Sequence, residues 1–185
     1  ALPILTEKRG ERDHEFGRLR KPGAVLRIEE IWMPRLLFLL RKNILFDVAE
    51  DYVLISLRGP RRVGKTTLVK LLLRELFLRS LSHSDRVSPL KVAYIRCDRP
   101  GLGGVEGLAS IMRDFLARRA DYPGDAYVFL DEVSSLRNWQ VAVKDLYDAG
   151  LLSKNKVKML ITGSHSLDVK RGAEVLGLRK GVMLE

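Results

Sequence analysis

The sequence predicts an α/β fold in which a mostly parallel sheet is covered by helices on both faces. Two observations predict it. Short apolar, β-rich runs alternate with segments whose apolar residues recur at helical spacing. The first run, residues 52–57, is apolar at nearly every position, which is typical of a strand buried on both sides. At 185 residues the chain has room for one domain.

Four predicted strands cover residues 52–57, 91–96, 126–130 and 157–162. Helices are predicted between them, and each is marked by an apolar stripe. The stripes are Leu68, Leu72, Leu76 with Val69, Leu73, Phe77; Leu108, Ile111, Met112, Phe115 within residues 105–118; and Trp139, Val143, Leu146, Tyr147 within one packed helix over residues 138–155. We expect Trp139 to anchor its helix in the core. Residues 80–89 are predicted to form a polar, mobile loop.

The beginning of the chain has a different pattern. Residues 1–25 mix charges with glycine and proline and show no periodicity, which predicts a flexible N-terminal arm. Pro34 suits a first helical turn, and apolar residues at helical spacing follow it, so we expect a short helix leading into the core. The predicted organisation is an arm over residues 1–25 and a core over residues 26–185.

Composition restricts the class of protein. No apolar run approaches the ~20 residues of a membrane span, and residues 1–10 lack the apolar segment of a secretory signal. The single cysteine, Cys97, cannot form an internal disulfide. We therefore expect a cytoplasmic protein without membrane contact. The net charge of +10 leaves two interpretations open, nucleic-acid binding and a solvated basic surface.

A glycine-rich stretch lies between the first strand and the first helix. It reads GPRRVGKT and matches the GxxxxGK[ST] Walker A pattern in the required context. Its glycines let backbone N–H groups converge on phosphate oxygens, and the helix start adds a favourable dipole. The alternative is a glycine turn that caps an ordinary helix. The predicted nucleotide-binding residues are Gly59, Pro60, Arg61, Arg62, Val63, Gly64, Lys65, Thr66 and Thr67.

Individual roles follow from this pattern. Lys65 is expected to reach the β- and γ-phosphates, Thr66 to ligate Mg²⁺, and Thr67 to contact the α-phosphate. Arg61 and Arg62 fit phosphate or subunit contacts and solvated surface positions equally well. The predicted cofactors are ATP and Mg²⁺.

Two acids follow the third strand at its carboxyl end, where ligands bind in open α/β sheets. Asp131 is expected to hold Mg²⁺ through water, and Glu132 to polarise an attacking water. The alternative is a pair of solvated loop acids. An acid next to the magnesium-binding acid favours hydrolysis of ATP over nucleotide storage.

Polar residues also follow the fourth strand. Thr162 and Ser164 are candidates for sensing the γ-phosphate and placing water; the alternative is a glycine turn whose hydroxyls cap the next helix. His165 is more typical of a solvated loop histidine than of a base. Arg179 is a candidate for reaching a γ-phosphate, with a solvated tail as the alternative.

Several segments resemble the prokaryotic AAA-superfamily P-loop ATPases of the archaeal ATPase type. They are GPRRVGKTT (59–67), FLDEV (129–133), NW (138–139), KDLYDAG (144–150) and ITGS (161–164), within a match from about residue 27 to the end. The resemblance implies a three-layer P-loop NTPase core with strand order 5-1-4-3-2, whose fifth strand would begin at residues 182–184. It also implies that this chain is the N-terminal ATP-binding core of a longer protein, without the helical lid and C-terminal domain.

Two further positions can be compared with the family pattern, and one departs from it while the other matches it. Ser134 replaces a glutamine that is common in the family, so a sensing role there is not expected. Asp98 matches an acid often found after the second strand. Partners implied by the resemblance are nucleic acid, through the missing C-terminal domain, and further copies of the chain.

The function predicted from the sequence is Mg²⁺-dependent ATP hydrolysis that drives conformational change in a larger protein. Turnover is expected to be slow without a lid and a trans-acting arginine. One alternative is a nucleotide-regulated binding switch with little turnover. A small-molecule phosphotransferase is disfavoured, because residues 138–155 indicate a packed helix where an arginine-rich lid would be needed.

Overall fold

The computed structural model describes residues 52–82, 87–119 and 122–164, and within them four strands form one parallel sheet. The strands are β1 (Val53–Arg58), β2 (Val92–Arg96), β3 (Ala126–Asp131) and β4 (Val157–Gly163). They lie in the order β1-β4-β3-β2, which agrees with the 1-4-3-2 part of the order that the resemblance implied. The predicted arm, the helix near Pro34 and the fifth strand lie outside the described residues.

Helices alternate with the strands, as predicted for an α/β fold. They are α1 (Lys65–Ser82), α2 (Gly104–Ala117), α3 (Trp139–Asp148) and α4 (Leu151–Lys154). Two expectations about where helices end were wrong. Helix α1 continues to Ser82, so residues 80–82 are not loop. The single helix expected over residues 138–155 is divided at Gly150, whose φ of 70° is a left-handed conformation that ends a helix and that glycine adopts without a Cβ clash.

The larger part of the core lies on the sheet face covered by α2, α3 and α4. The large buried residues of α2 are spaced by four, at Leu108, Met112 and Leu116, and they pack with Trp139 in the same cluster. Trp139 is 1% exposed, which confirms its predicted role as an anchor. Ile111 was expected to point inward but is 44% exposed, because it lies on the flank of this narrow stripe.

Helix α1 covers the opposite face. Its buried residues are not members of the first cluster, and the helix contacts β3. Four predicted stripe residues are buried, Leu68, Val69, Leu72 and Leu76, each contributing roughly 1.5–3 kcal/mol through burial. Phe77 was predicted to continue the stripe but is 37% exposed.

The parallel arrangement brings all four strand ends to one edge of the sheet. This edge receives the glycine-rich loop after β1 and the two acids that end and follow β3. Across the described ranges, no helix combines the length and apolar character needed to cross a membrane.

Candidate functional site

The loop between β1 and α1 has an unusual backbone. Arg62 has a φ of 68° and Gly64 a φ of 93°, both in the left-handed region. The first bond of α1 follows at once, with the Leu68 amide donating to the Gly64 carbonyl at 2.9 Å. The side chains between Pro60 and Val63 are exposed, and Thr66 is half-buried in the first helical turn. The first amides of a helix have no intrahelical partner, so the amides at the start of α1 can bind an anion.

Lys65 links the loop to the acids after β3. It is 4% exposed, and its Nζ donates to the carbonyl oxygens of Gly59 at 2.9 Å and Pro60 at 2.8 Å. The same Nζ lies 4.0 Å from Oε1 of Glu132. Burial lowers the pKa of Lys65, while Glu132 and Asp131 act in the opposite direction. The structure therefore brings the loop lysine and both predicted acids together.

Asp131 is held by hydroxyl groups from the strands on either side. It is 1% exposed. Thr162 on β4 donates to its Oδ1 at 2.5 Å, and Tyr94 on β2 donates to its Oδ2 at 3.0 Å. Burial, followed by the bond to Asp131, raises the pKa of Tyr94 to about 12, so its hydroxyl keeps its proton at neutral pH and donates. Tyr94 was not among the site residues predicted from the sequence.

Glu132 leaves the strand through a strained turn. Its φ of 56° and ψ of 46° are left-handed, a conformation that is uncommon for a residue with a side chain. The Glu132 amide donates to Oγ1 of Thr162 at 3.0 Å, which fixes the turn. Its side chain remains 25% exposed, so it is accessible to a ligand or water. Strain of this kind is concentrated at functional sites.

The oxygen donors here fit magnesium better than a transition metal. Among the described residues, no group of three or more His, Cys, Asp or Glu side chains could form a cage around a metal. Mg²⁺ is usually bound through one or two carboxylates together with substrate phosphates, and it keeps several waters. The Asp131 carboxylate and the Thr66 hydroxyl therefore fit an ion that arrives with a nucleotide.

Thr162 and Ser164, the sensor candidates, have partners in the structure. The hydroxyl of Thr162 is fully buried and is engaged with Asp131 and Glu132. The Ser164 amide donates to Oγ of Ser134 at 3.1 Å, and the two hydroxyl oxygens are 3.3 Å apart. Sensing of a phosphate by Thr162 or Ser164 stays a prediction.

Other predicted residues lie apart from this contact network or outside the described ranges. Asp98 pairs with Arg96 through two bonds of 3.0 and 2.6 Å, and this hydrogen-bonded arginine holds the pKa of Asp98 below its usual value. His165 and Arg179 lie outside the described residues.

Comparison with known proteins bears on the fold and the family. A solved structure of the Aeropyrum pernix Orc1 protein in complex with DNA is similar, with a TM-score of 0.53 and 18% sequence identity. The match covers 86% of this chain and 45% of the Orc1 chain, so this chain spans less than half the length of that relative. At this identity the likeness shows the fold alone. No curated protein is significantly similar in sequence.

A family model gives the assignment. The model described as "AAA domain" matches residues 51–183, a range that includes the glycine-rich loop and the acids after β3. The match extends over well more than half of the 185 residues. The chain therefore belongs to the AAA domain family of P-loop ATPases.

Proposed function

We propose that this chain binds ATP with Mg²⁺ and hydrolyses it, as the ATP-binding core of a larger protein of the archaeal ATPase type. The observation that carries the proposal is the position of Lys65 Nζ, which contacts the loop carbonyls and lies 4.0 Å from Glu132 Oε1. The ammonium group of Lys65, the backbone of the glycine-rich loop and the Glu132 carboxylate therefore lie together at one sheet edge. These are the parts that phosphoryl transfer to water requires.

Each part has a distinct role in the proposal. The amides of residues 59–67 surround the phosphates, and Lys65 moves from the loop carbonyls to the β- and γ-phosphates when nucleotide binds. Thr66 and Asp131 hold Mg²⁺, which neutralises charge on the phosphates when bound. Glu132, with an accessible side chain next to Lys65, accepts a proton from the attacking water.

The substitution Glu132→Gln tests this proposal, with Glu106→Gln as a control. Glu106 is an exposed acid in the first turn of α2. Removal of a general base typically costs about 10²- to 10⁴-fold in rate, so the Glu132 variant should lose at least about a hundredfold in single-turnover hydrolysis. Its affinity for a fluorescent ATP analogue should stay within about twofold of the unchanged protein, since Gln conserves the shape of the side chain.

The outcomes separate the candidate functions. Equal hydrolysis by the Glu132→Gln variant and the unchanged protein would show that Glu132 is not the base. Tight ATP binding without single turnover would favour a nucleotide-regulated switch, and the engaged state of Lys65 in this structure is consistent with a loop that rearranges on binding. An unchanged protein that binds neither ATP nor ADP would overturn the proposal.

DNA is the macromolecular partner that we propose for the complete protein. Two observations support it, the net charge of +10 and the likeness to an Orc1 structure in complex with DNA. Hydrolysis by a longer form of the protein should rise when duplex DNA is added and should return towards the basal rate as salt is increased. Equal rates with and without DNA would count against this partner.

A further inference from the structure

Asp131 has an unusual set of hydrogen-bond partners. Both carboxylate oxygens accept a bond, one from Thr162 at 2.5 Å and one from Tyr94 at 3.0 Å. Both donors are neutral hydroxyl groups. Asp131 forms no salt bridge with a described residue. The carboxylate is therefore oriented by hydroxyl groups, and no arginine or lysine of the described residues forms an ion pair with it.

The sheet register explains how Tyr94 reaches Asp131. Arg96 is the direct partner of Asp131 across the β2–β3 pair, and Tyr94 is the partner of Phe129. Since side chains alternate between the faces of a strand, Tyr94 projects on the same face as Asp131 and is its diagonal neighbour. A diagonal neighbour in a sheet is within reach of an aromatic side chain but not of a short one. A tyrosine at this position supplies the length and the donor together.

We propose that Tyr94 is a positioning residue, whose hydroxyl, together with that of Thr162, fixes the Asp131 carboxylate in the orientation that holds hydrated Mg²⁺ on the nucleotide. The inference rests on the proposed function, because it assigns Asp131 to the magnesium ion. Residues that orient a metal-binding side chain without touching the metal typically affect metal affinity strongly. Tyr94 connects β2 to the site in the same way that Thr162 connects β4.

The Asp131 carboxylate keeps its negative charge when a hydroxyl group such as that of Tyr94 donates to it, and this distinguishes a positioning role from a merely structural one. A hydroxyl donor satisfies a buried carboxylate oxygen and leaves the full negative charge for a cation. A lysine or arginine at the same place would compete with Mg²⁺ for that charge. Each oxygen also keeps a second lone-pair direction, which a magnesium-bound water can use.

The test uses Tyr94→Phe, which removes the hydroxyl and keeps the ring. Tyr127→Phe is the matched control, a buried tyrosine on β3 that does not donate to Asp131. Binding of a fluorescent ATP analogue is measured as Mg²⁺ is titrated, and Mn²⁺ binding to the protein–nucleotide complex is read directly by electron paramagnetic resonance. Tyr94→Phe should raise the Mg²⁺ concentration at half-effect by about 3- to 10-fold and weaken Mn²⁺ binding similarly. Binding without metal should change less than about twofold, and Tyr127→Phe should match the unchanged protein.

A second variant tests whether Tyr94 acts through Asp131. In an Asp131→Asn background, Tyr94→Phe should produce no further shift in metal dependence, because the group that it positions is already altered. The inference would be overturned if Tyr94→Phe shifted the Mg²⁺ concentration at half-effect equally in both backgrounds, or did not shift it at all. It would also be overturned if the Tyr94→Phe chain did not fold. If the unchanged protein did not bind nucleotide, the proposed function would be overturned, and the inference with it.

Discussion

The Nζ atom of Lys65 and Oε1 of Glu132 lie 4.0 Å apart. Lys65 is the first residue of α1, whereas Glu132 follows the last residue of β3, far along the chain. The lysine side chain is 3% exposed and the glutamate side chain 25% exposed. Burial lowers the pKa of Lys65, and the nearby acids oppose this effect. A buried ammonium is expensive without partners, so the carbonyls of Gly59 and Pro60 and the acid are needed to hold it.

Replacement of Lys65 should abolish most nucleotide affinity. Lys65→Ala removes a charge-assisted contact to phosphate, worth roughly 1.5–3 kcal/mol, so the dissociation constant for ATP should rise by about 10- to 100-fold. Lys70→Ala on the exposed side of the same helix is the control and should bind as the unchanged protein does. Titration with a fluorescent ATP analogue measures both. Similar affinities for the two variants would mean that Lys65 does not contact the phosphates.

Loss of the Thr162 hydroxyl should destabilise the protein. Thr162→Val keeps the shape of the side chain but leaves Asp131 Oδ1 without its donor and the Glu132 amide without its acceptor. Unsatisfied buried groups cost about 1–3 kcal/mol each, so the free energy of unfolding in urea should fall by at least that amount. Thr162→Ser retains the hydroxyl and should cost only about 1 kcal/mol, from one buried methyl group. A serine variant as unstable as the valine variant would show that these two bonds contribute little.

Gly107 lies within α2, where alanine is ordinarily preferred by about 1 kcal/mol. A Cβ at this position would lie 1.7 Å from the carbonyl oxygen of Leu102. Gly107→Ala should therefore destabilise the protein, with a lower midpoint of urea unfolding, because backbone atoms would have to move. Ser110→Ala, at an exposed position of the same helix, should leave the midpoint nearly unchanged. A stabilised Gly107→Ala protein would contradict the close approach of the Leu102 loop.

Cys97 should react slowly in the folded protein. It is 5% exposed, and burial raises the pKa of its thiol to about 12. Near pH 8 the thiolate fraction is then roughly a thousand times smaller than for an ordinary thiol. Alkylation followed by mass spectrometry should be rapid only after unfolding in urea, and since Cys97 is the only cysteine, one modification reports the reaction.

The same pKa has a consequence for stability. Since the folded value lies above the ordinary value of 9.0, the contribution of Cys97 to stability is complete below about pH 9 and is lost as pH rises towards 12. Cys97→Ala should remove this part of the stability loss at alkaline pH, measured as the free energy of unfolding in urea at pH 8 and pH 10. Equal alkaline losses in both proteins would show that Cys97 does not titrate in this way.

Much of the fold was predictable because it depends on local patterns. The alternation of apolar β-rich runs with helical stripes predicted the four strands to within one residue at each end, and Leu68, Leu72 and Met112 are buried as expected. Ile111 and Phe77 were predicted wrongly. Periodicity shows which residues share a helix side, but the width of the buried stripe depends on how the helix meets the sheet.

The strand–loop–helix context of Lys65 and the pair of acids at the end of β3 could be read from the amino-acid order alone, because motif spacing and strand ends are properties of the local chain. The bonds from Tyr94 and Thr162 to the two oxygens of Asp131 became visible only in the folded chain. These contacts join residues from three strands that are distant in the chain. Their existence depends on strand order and register, which arise when the sheet assembles and are not encoded in the spacing of any one segment.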